Sequence, residues 1–228
     1  LLVVQAHQVK PTAAQQRRGQ LREGIQYIKG THRVQDLLIV SGCIPFFAIS
    51  ISGMLPAIVT DRLQAGAEVL GIIQAAAGAG AMAGSILVVP FVGRLEKAGL
   101  AILNAMFWIG GCFVLASFSS AAWLWTICVF ASNMANPAVL AVSAGLLQTI
   151  APPNMKGRIM GIWMTLSFGL QPFGAILIGY LANAIGVTVA VLSFALALIA
   201  VAALIYIFRG DFRRWIPVPK EKGASYRG

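Results

Sequence analysis

The chain has 228 residues, of which 58% are hydrophobic and only 11% are charged. Soluble domains carry about 25% charged residues, so this composition excludes an ordinary soluble domain and indicates an integral membrane protein. The net charge of +10 does not indicate a nucleic-acid partner, because the basic residues lie at the two ends and in two loops rather than along one surface.

Residues 1–35 are predicted to contain the end of a preceding membrane span and then a cytoplasmic linker. The chain begins with Leu1 and three further apolar residues rather than with Met, so we expect the sequence to be a fragment. Later in this segment Leu21, Ile25 and Ile28 recur at helical spacing among basic residues, which is typical of an amphipathic helix on a membrane surface. A helix that couples two halves of a larger protein and a solvated connector both fit this pattern.

The middle of the chain consists of apolar stretches of membrane-spanning length. A transmembrane helix needs about 20 apolar residues. Residues 98–155 contain neither a charged residue nor a histidine, and residues 159–208 are also uncharged, so each run suits two crossings and a turn. Together with two earlier stretches they predict an all-α bundle at 36–208. Its six transmembrane helices are placed at 37–60, 69–92, 99–117, 122–150, 159–182 and 187–208, and a basic cytoplasmic tail follows at 209–228.

The positions of the basic residues predict the orientation of this bundle. Sixteen of the 17 Lys and Arg residues lie near the two ends of the chain or in two of the loops. Six crossings place these ends and loops on the same side of the membrane. Only Arg62 lies in a connection on the opposite side. This bias follows the positive-inside rule and predicts that both ends face the cytoplasm. The loop cations either fix this topology alone or also form a cytoplasmic gate. They are Arg94, Lys97, Lys156 and Arg158.

Local features within the spans predict helix irregularity and close packing. Pro45 and Pro56 lie in the first span, where kinks are expected. Gly80-x-x-x-Gly84 in the second span has the spacing that lets membrane helices approach closely. Asp36 is predicted to cap the first span, and no acidic residue is expected inside any span. The spacing of the glycines differs from that of a dinucleotide-binding loop, so no nucleotide cofactor is expected.

Three motifs resemble those of major facilitator superfamily transporters. Residues 153–161 resemble the Pro-x-x-x-Arg-Gly-Arg-x-x-Gly loop of that superfamily. Residues 22–28 and 169–174 resemble the central linker helix and the penultimate helix of its bacterial exporters, the group that includes the enterobactin exporter and macrolide efflux proteins. The resemblance covers about residues 20–208 and is to the carboxyl-terminal half, so an amino-terminal six-helix half would be a partner. One departure is that residues 93–97 lack the Asp-Arg pair of the family's loop signature.

The resemblance implies secondary active transport by alternating access, with membrane lipid and a small-molecule substrate as partners. It also implies that the first, second, fourth and fifth helices of this half face the cavity or the other half. The neutral polar residues of those helices are the substrate-cavity candidates: Ser50, Ser52, Gln74, Asn133, Asn136, Thr165 and Gln171. Their neutrality favours export of an amphipathic or lipophilic compound over a sugar or a small anion. We expect any proton-coupling acid in the other half.

The alternative is a truncated or accessory six-helix membrane protein without transport activity of its own. Catalysis is not expected, because neither a nucleophile with its base nor a metal-ligand set lies within the predicted spans. Cys43, Cys112 and Cys128 lie in spans without metal-like or redox-like spacing, so they are interpreted as small buried apolar residues. No metal or other cofactor is therefore expected.

Overall fold

The computed structural model describes residues 28, 30–92, 98–153 and 155–209, and that part of the chain is helical without a β-strand. Within it, six helices are long and apolar enough to cross a membrane, which confirms the expected all-α, six-helix fold class. They are α1, Val34–Arg62; α2, Ala67–Val92; α3, Ala98–Ser117; α4, Ala122–Ile150; α5, Lys156–Ile185; and α6, Val187–Phe208. The predicted amphipathic helix, the basic tail and the loop at 93–97 lie outside the described residues, apart from Ile28 and the tail's first residue.

Proline and glycine interrupt the longer helices. The α-helix that begins α1 extends back to His32 and ends at Ile44, and a π-helical turn, Pro45–Ile49, follows it. A second π-helical turn, Ile58–Arg62, ends α1, so the predicted irregularity of this span is confirmed. Proline lacks the N–H that an α-helix needs at an interior position, and π-helical turns often occur at functional sites.

Further along the chain, α5 consists of two helical segments. They are Lys156–Gly169 and Gln171–Ile185. Pro172 lies at the start of the second segment, where a missing N–H is tolerated. Gly186 separates α5 from α6 with a φ of 89°, a backbone conformation that glycine adopts without steric cost.

The helices form a bundle in which α2 and α5 are the least buried. Helix α2 packs along α4, α4 along α3, and α3 along α6, whereas α1 contacts α4, α5 and α6. Only 17% of the most apolar window of α2 and 22% of that of α5 is buried, against 56% for α1. The bundle therefore leaves two helices of membrane length largely uncovered.

Two glycines bring the backbones of α2 and α4 together. A Cβ atom on Gly80 would overlap the carbonyl oxygen of Phe130, and one on Gly84 would overlap that of Met134. The obstacle in both cases is main chain, which cannot rotate away as a side chain can. The close-packing role predicted for the Gly80-x-x-x-Gly84 motif is confirmed.

A third glycine and an aromatic cluster position α1 against α5 and α6. A Cβ atom on Gly174 in α5 would overlap the carbonyl oxygen of Phe46 in α1. The rings of Phe46 and Phe47 have centroids 4.9 Å apart, and the centroid of the Phe194 ring in α6 lies 5.4 Å from that of Phe47. Edge-to-face pairs of this kind add to the packing energy of the rings. The middle of α1 is thus held from two sides.

Asp36 does not cap the first span. Thr31 occupies the N-cap position, and Asp36 lies inside the helix that begins at His32. It is 7% exposed, and its Oδ1 lies 2.6 Å from Nη1 of Arg209, just beyond α6. The structure's bounds for α1 and α2 also include Asp61 and Glu68, so the expectation that no acidic residue lies inside a span is wrong. A buried carboxylate requires a cationic or hydrogen-bonding partner, and the pair joins the first helix to the last.

Candidate functional site

A pocket of about 160 Å³ lies between α1, α3 and α4. Ala48 and Asn136, which line it, are the middle residues of α1 and α4. The pocket therefore lies halfway along both helices, which in a bundle that spans a bilayer is the depth at which secondary transporters bind their substrates. We call it the midplane pocket, and its lining residues are Ile44, Ala48, Ile49, Ser52, Ile109, Phe113, Ser132, Asn133 and Asn136.

The polar groups of the midplane pocket differ in how much hydrogen-bonding capacity they have left. The hydroxyl of Ser132 donates to the carbonyl of Val129 at 3.0 Å, and the amide of Asn133 donates to the same carbonyl at 2.9 Å. The Ser52 hydroxyl donates to the carbonyl of Ala48 at 3.4 Å. The Asn136 amide makes no hydrogen bond to any other described residue. It is therefore the polar side chain best able to bind a ligand, with two donors and an acceptor.

Irregular backbone surrounds this pocket on both of its main helices. Ala48 and Ile49 belong to the π-helical turn of α1. Pro137 lies inside α4, so the carbonyl of Asn133 lacks the N–H donor that a regular helix would supply four residues later. Membrane helices tolerate such backbone where it borders protein or a cavity rather than lipid. The local sequence thus places additional backbone hydrogen-bonding groups near the middle of the bundle.

Three of the seven predicted cavity residues come together in the midplane pocket: Ser52, Asn133 and Asn136. Sequence reasoning missed Ser132, which also lines it. Ser132 and Asn136 are four residues apart in α4 and so share one face of the helix. That spacing is the sequence signal from which Ser132 could be predicted.

The other four candidates lie elsewhere. Ser50 is 1% exposed, and its hydroxyl donates to the carbonyl of Gln171 at 3.3 Å. Gln171 is half-buried at the junction of the two α5 segments. Gln74 is exposed on α2, and Thr165 is exposed on α5, where its hydroxyl donates to the carbonyl of Gly161 at 2.9 Å. None of these four lines the midplane pocket.

Two of the four predicted loop cations can be located. Lys156 is exposed at the first position of α5, and Arg158 is half-buried in the same turn. The positive end of the helix dipole lies at this terminus and is unfavourable for cations. The dipole of α5 therefore does not explain why Lys156 and Arg158 are found here. Arg94 and Lys97 lie outside the described residues.

Comparison with known protein families gives one match. A family model described as a transmembrane secretion effector matches residues 2–214. No curated protein matches the chain. The matched segment includes all six helices and every residue of the midplane pocket.

Proposed function

Because the chain belongs to the transmembrane secretion effector family of major facilitator superfamily transporters, we propose that it forms one six-helix half of an exporter of small amphipathic or lipophilic compounds. The resemblance to bacterial exporters, including the enterobactin exporter and macrolide efflux proteins, favours the carboxyl-terminal half. In alternating access, two such halves rock about a site near the bilayer midplane. The midplane pocket is the observation that carries this proposal.

The lining of the pocket supports the substrate class. Its described lining residues are all uncharged, and the polar ones are Ser and Asn. A small anion or cation would lose its hydration there without gaining a counter-charge, which is costly in an apolar interior. An amphipathic molecule would bury its apolar surface against Ile109 and Phe113 and present a hydrogen-bonding group to Asn136.

Two observations support the presence of a second six-helix half: the small size of the midplane pocket and the exposure of α2 and α5. Sites for drug-sized ligands measure about 300–1,000 Å³, so 160 Å³ corresponds to part of such a site. Gln74 and Ser85 on α2 and Thr165 on α5 are exposed although they lie within membrane-spanning helices. Polar side chains in membrane helices usually face protein or water rather than lipid. We therefore place the amino-terminal half against these two helices.

We further propose that both ends of the chain and the loop cations lie on the cytoplasmic side of a bacterial inner membrane. Lys156 and Arg158 then fix topology by the positive-inside rule. Asp36 is ion-paired with Arg209 at the end of the bundle and lies outside the midplane pocket. We therefore place a proton-coupling acid, if the exporter uses one, in the other half.

Changing Asn136 to Ala tests the pocket as a substrate site. One hydrogen bond contributes about 0.5–1.5 kcal/mol, and 1.4 kcal/mol corresponds to a factor of about ten, so we expect up to about tenfold slower export of a bound substrate. The assay is efflux of a fluorescent lipophilic dye by the full-length gene product in bacteria that lack their own multidrug pumps. Gln148→Ala is the matched control, since Gln148 is an exposed amide of the same helix outside the pocket.

Two results would contradict the proposal. Equal efflux by the Asn136→Ala variant and the parent protein would show that the midplane pocket does not contact the substrate. Export of a hydrophilic anion, together with failure to export any lipophilic dye, would show that the substrate class is wrong. Membrane levels of each variant are measured in parallel, so that a folding defect is not mistaken for a transport defect.

A further inference from the structure

Three buried serine hydroxyls from three different helices have no hydrogen-bond partner in the described part of the chain. They are Ser41 in α1, Ser143 in α4 and Ser167 in α5. Their exposed fractions are 5%, 0% and 2%. Buried hydroxyls are almost always hydrogen-bonded, and each exception requires an explanation, such as a bound water or ion. The hydroxyl of a serine in a membrane helix commonly donates a hydrogen bond to a backbone carbonyl of the preceding turn. The hydroxyls of these three serines do not.

All three serines line one cavity, and Asn136 also lines it. The cavity measures about 30 Å³, and its other lining residues are apolar. A water molecule needs roughly 10–15 Å³ of such volume and two to four polar partners. The cavity therefore has room for about two waters and supplies four polar side chains to hold them.

We propose that this serine cavity holds one or two ordered waters that bridge α1, α4 and α5. Water fits the chemistry better than an ion. A hydroxyl has a donor as well as acceptor lone pairs, and water satisfies both, whereas a cation satisfies only the lone pairs. The described residues that line the cavity also include no carboxylate to balance a cation and no Lys or Arg to balance an anion.

The waters have a consequence for the substrate site, and this part rests on the proposed function. Asn136 lines the serine cavity and the midplane pocket alike. A water bound to its amide from the cavity side would fix the orientation of that side chain toward the pocket. Water-mediated bonds also exchange easily when packed helices shift, so α1, α4 and α5 could move relative to one another without leaving a hydroxyl unbonded.

The sign of the change in melting temperature distinguishes a hydrated cavity from a dry one. In a dry cavity, replacing an unpartnered serine with alanine removes an unsatisfied group and should raise the Tm of the purified full-length protein. In a hydrated cavity, Ser143→Ala and Ser167→Ala should each lower the Tm by a few degrees. Because both hydroxyls share the same waters, the double variant should lose less than the sum of the two single losses.

Ser117→Ala is the matched control for these variants. Ser117 is also buried, but its hydroxyl donates to the carbonyl of Phe113 at 2.8 Å. Its effect should therefore add to that of Ser143→Ala. A rise in Tm for either cavity variant, or strict additivity between Ser143→Ala and Ser167→Ala, would overturn the proposal.

Ion substitution and direct imaging complete the test. The Tm should be the same in sodium and potassium salts, and in chloride and gluconate; dependence on one ion would make that ion the occupant and overturn the water proposal. A structure of the full-length protein that resolves waters should show density within hydrogen-bond distance of the three Oγ atoms, and an empty cavity would refute it. These readouts do not involve transport, so they can succeed even if the assigned substrate class fails.

Discussion

Gly84→Leu is expected to prevent stable packing of the bundle. The first side-chain carbon would overlap the main-chain carbonyl of Met134, and the Cα of that residue would also be too close. Helices α2 and α4 would have to separate at this point, because the obstacle is main chain rather than a side chain that could rotate away. Overpacking costs about 1–3 kcal/mol where side chains can adjust, so we expect at least the upper end of that range here. Thermal unfolding and the yield of monodisperse detergent-purified protein both measure the effect.

Gly78→Leu provides the matched control for this prediction. Gly78 lies on the same helix, and a Cβ atom there would meet nothing within 4 Å among the described residues. This variant should therefore leave the packing of α2 on α4 intact, and it should purify and unfold more like the parent protein than Gly84→Leu does. If both substitutions gave the same yield and the same melting temperature, the close approach of α2 to α4 would be disproved.

The second large effect is expected from Gly174→Ala, where one methyl group is enough. It would overlap the carbonyl of Phe46 and crowd the hydroxyl of Ser50, whose bond to the Gln171 carbonyl would be lost. The second segment of α5 would be displaced from the π-helical turn of α1, which carries part of the midplane pocket. We therefore expect dye efflux to fall by roughly tenfold or more, with destabilisation of about 1–3 kcal/mol.

Gly179→Ala tests whether any added methyl on α5 has this effect. Gly179 belongs to the same helical segment, and the space around its Cβ position is open among the described residues. Efflux and melting temperature should remain at parental values for Gly179→Ala. Normal efflux by Gly174→Ala would show that α1 and α5 are not in close contact during transport.

The sequence predicted the fold well because lipid imposes a simple constraint. A backbone that crosses a bilayer must satisfy its own hydrogen bonds, and charges are excluded from long stretches of the chain. The uncharged runs at 98–155 and 159–208 therefore indicated helices and their turns. The spacing of Gly80 and Gly84 likewise indicated a packing face, since residues four apart lie on one side of a helix.

The candidate site was only partly predictable, because helix membership does not fix which face a side chain occupies. Ser50 and Ser52 are two residues apart and so point to nearly opposite sides of α1; Ser52 lines the pocket, and Ser50 is buried against α5. The irregular backbone near Pro45 also rotates the side chains that follow it about the helix axis, and the regular spacing of residues in the sequence does not predict that rotation. Asp36 is not the cap because the helix begins at His32, four residues before it.

The serine cavity had no sequence signal at all. Ser41, Ser143 and Ser167 are separated by more than 20 residues and lie in three different helices. Single serines are common in membrane helices and usually bond to their own backbone. Only the packing of α1, α4 and α5 shows that these three hydroxyls share one space.

The most direct test of the account is the topology of the six crossings. In a version without native cysteines, single cysteines are introduced as Gly66→Cys, Ser120→Cys and Asn183→Cys on one side, and as Gly157→Cys and Ser225→Cys on the other. Intact cells are then treated with a membrane-impermeant maleimide. We predict labelling of the first three in intact cells, and of the last two only after permeabilisation. Protection of any of the first three, or labelling of Gly157→Cys and Ser225→Cys from opposite sides, would contradict six crossings with both ends in the cytoplasm.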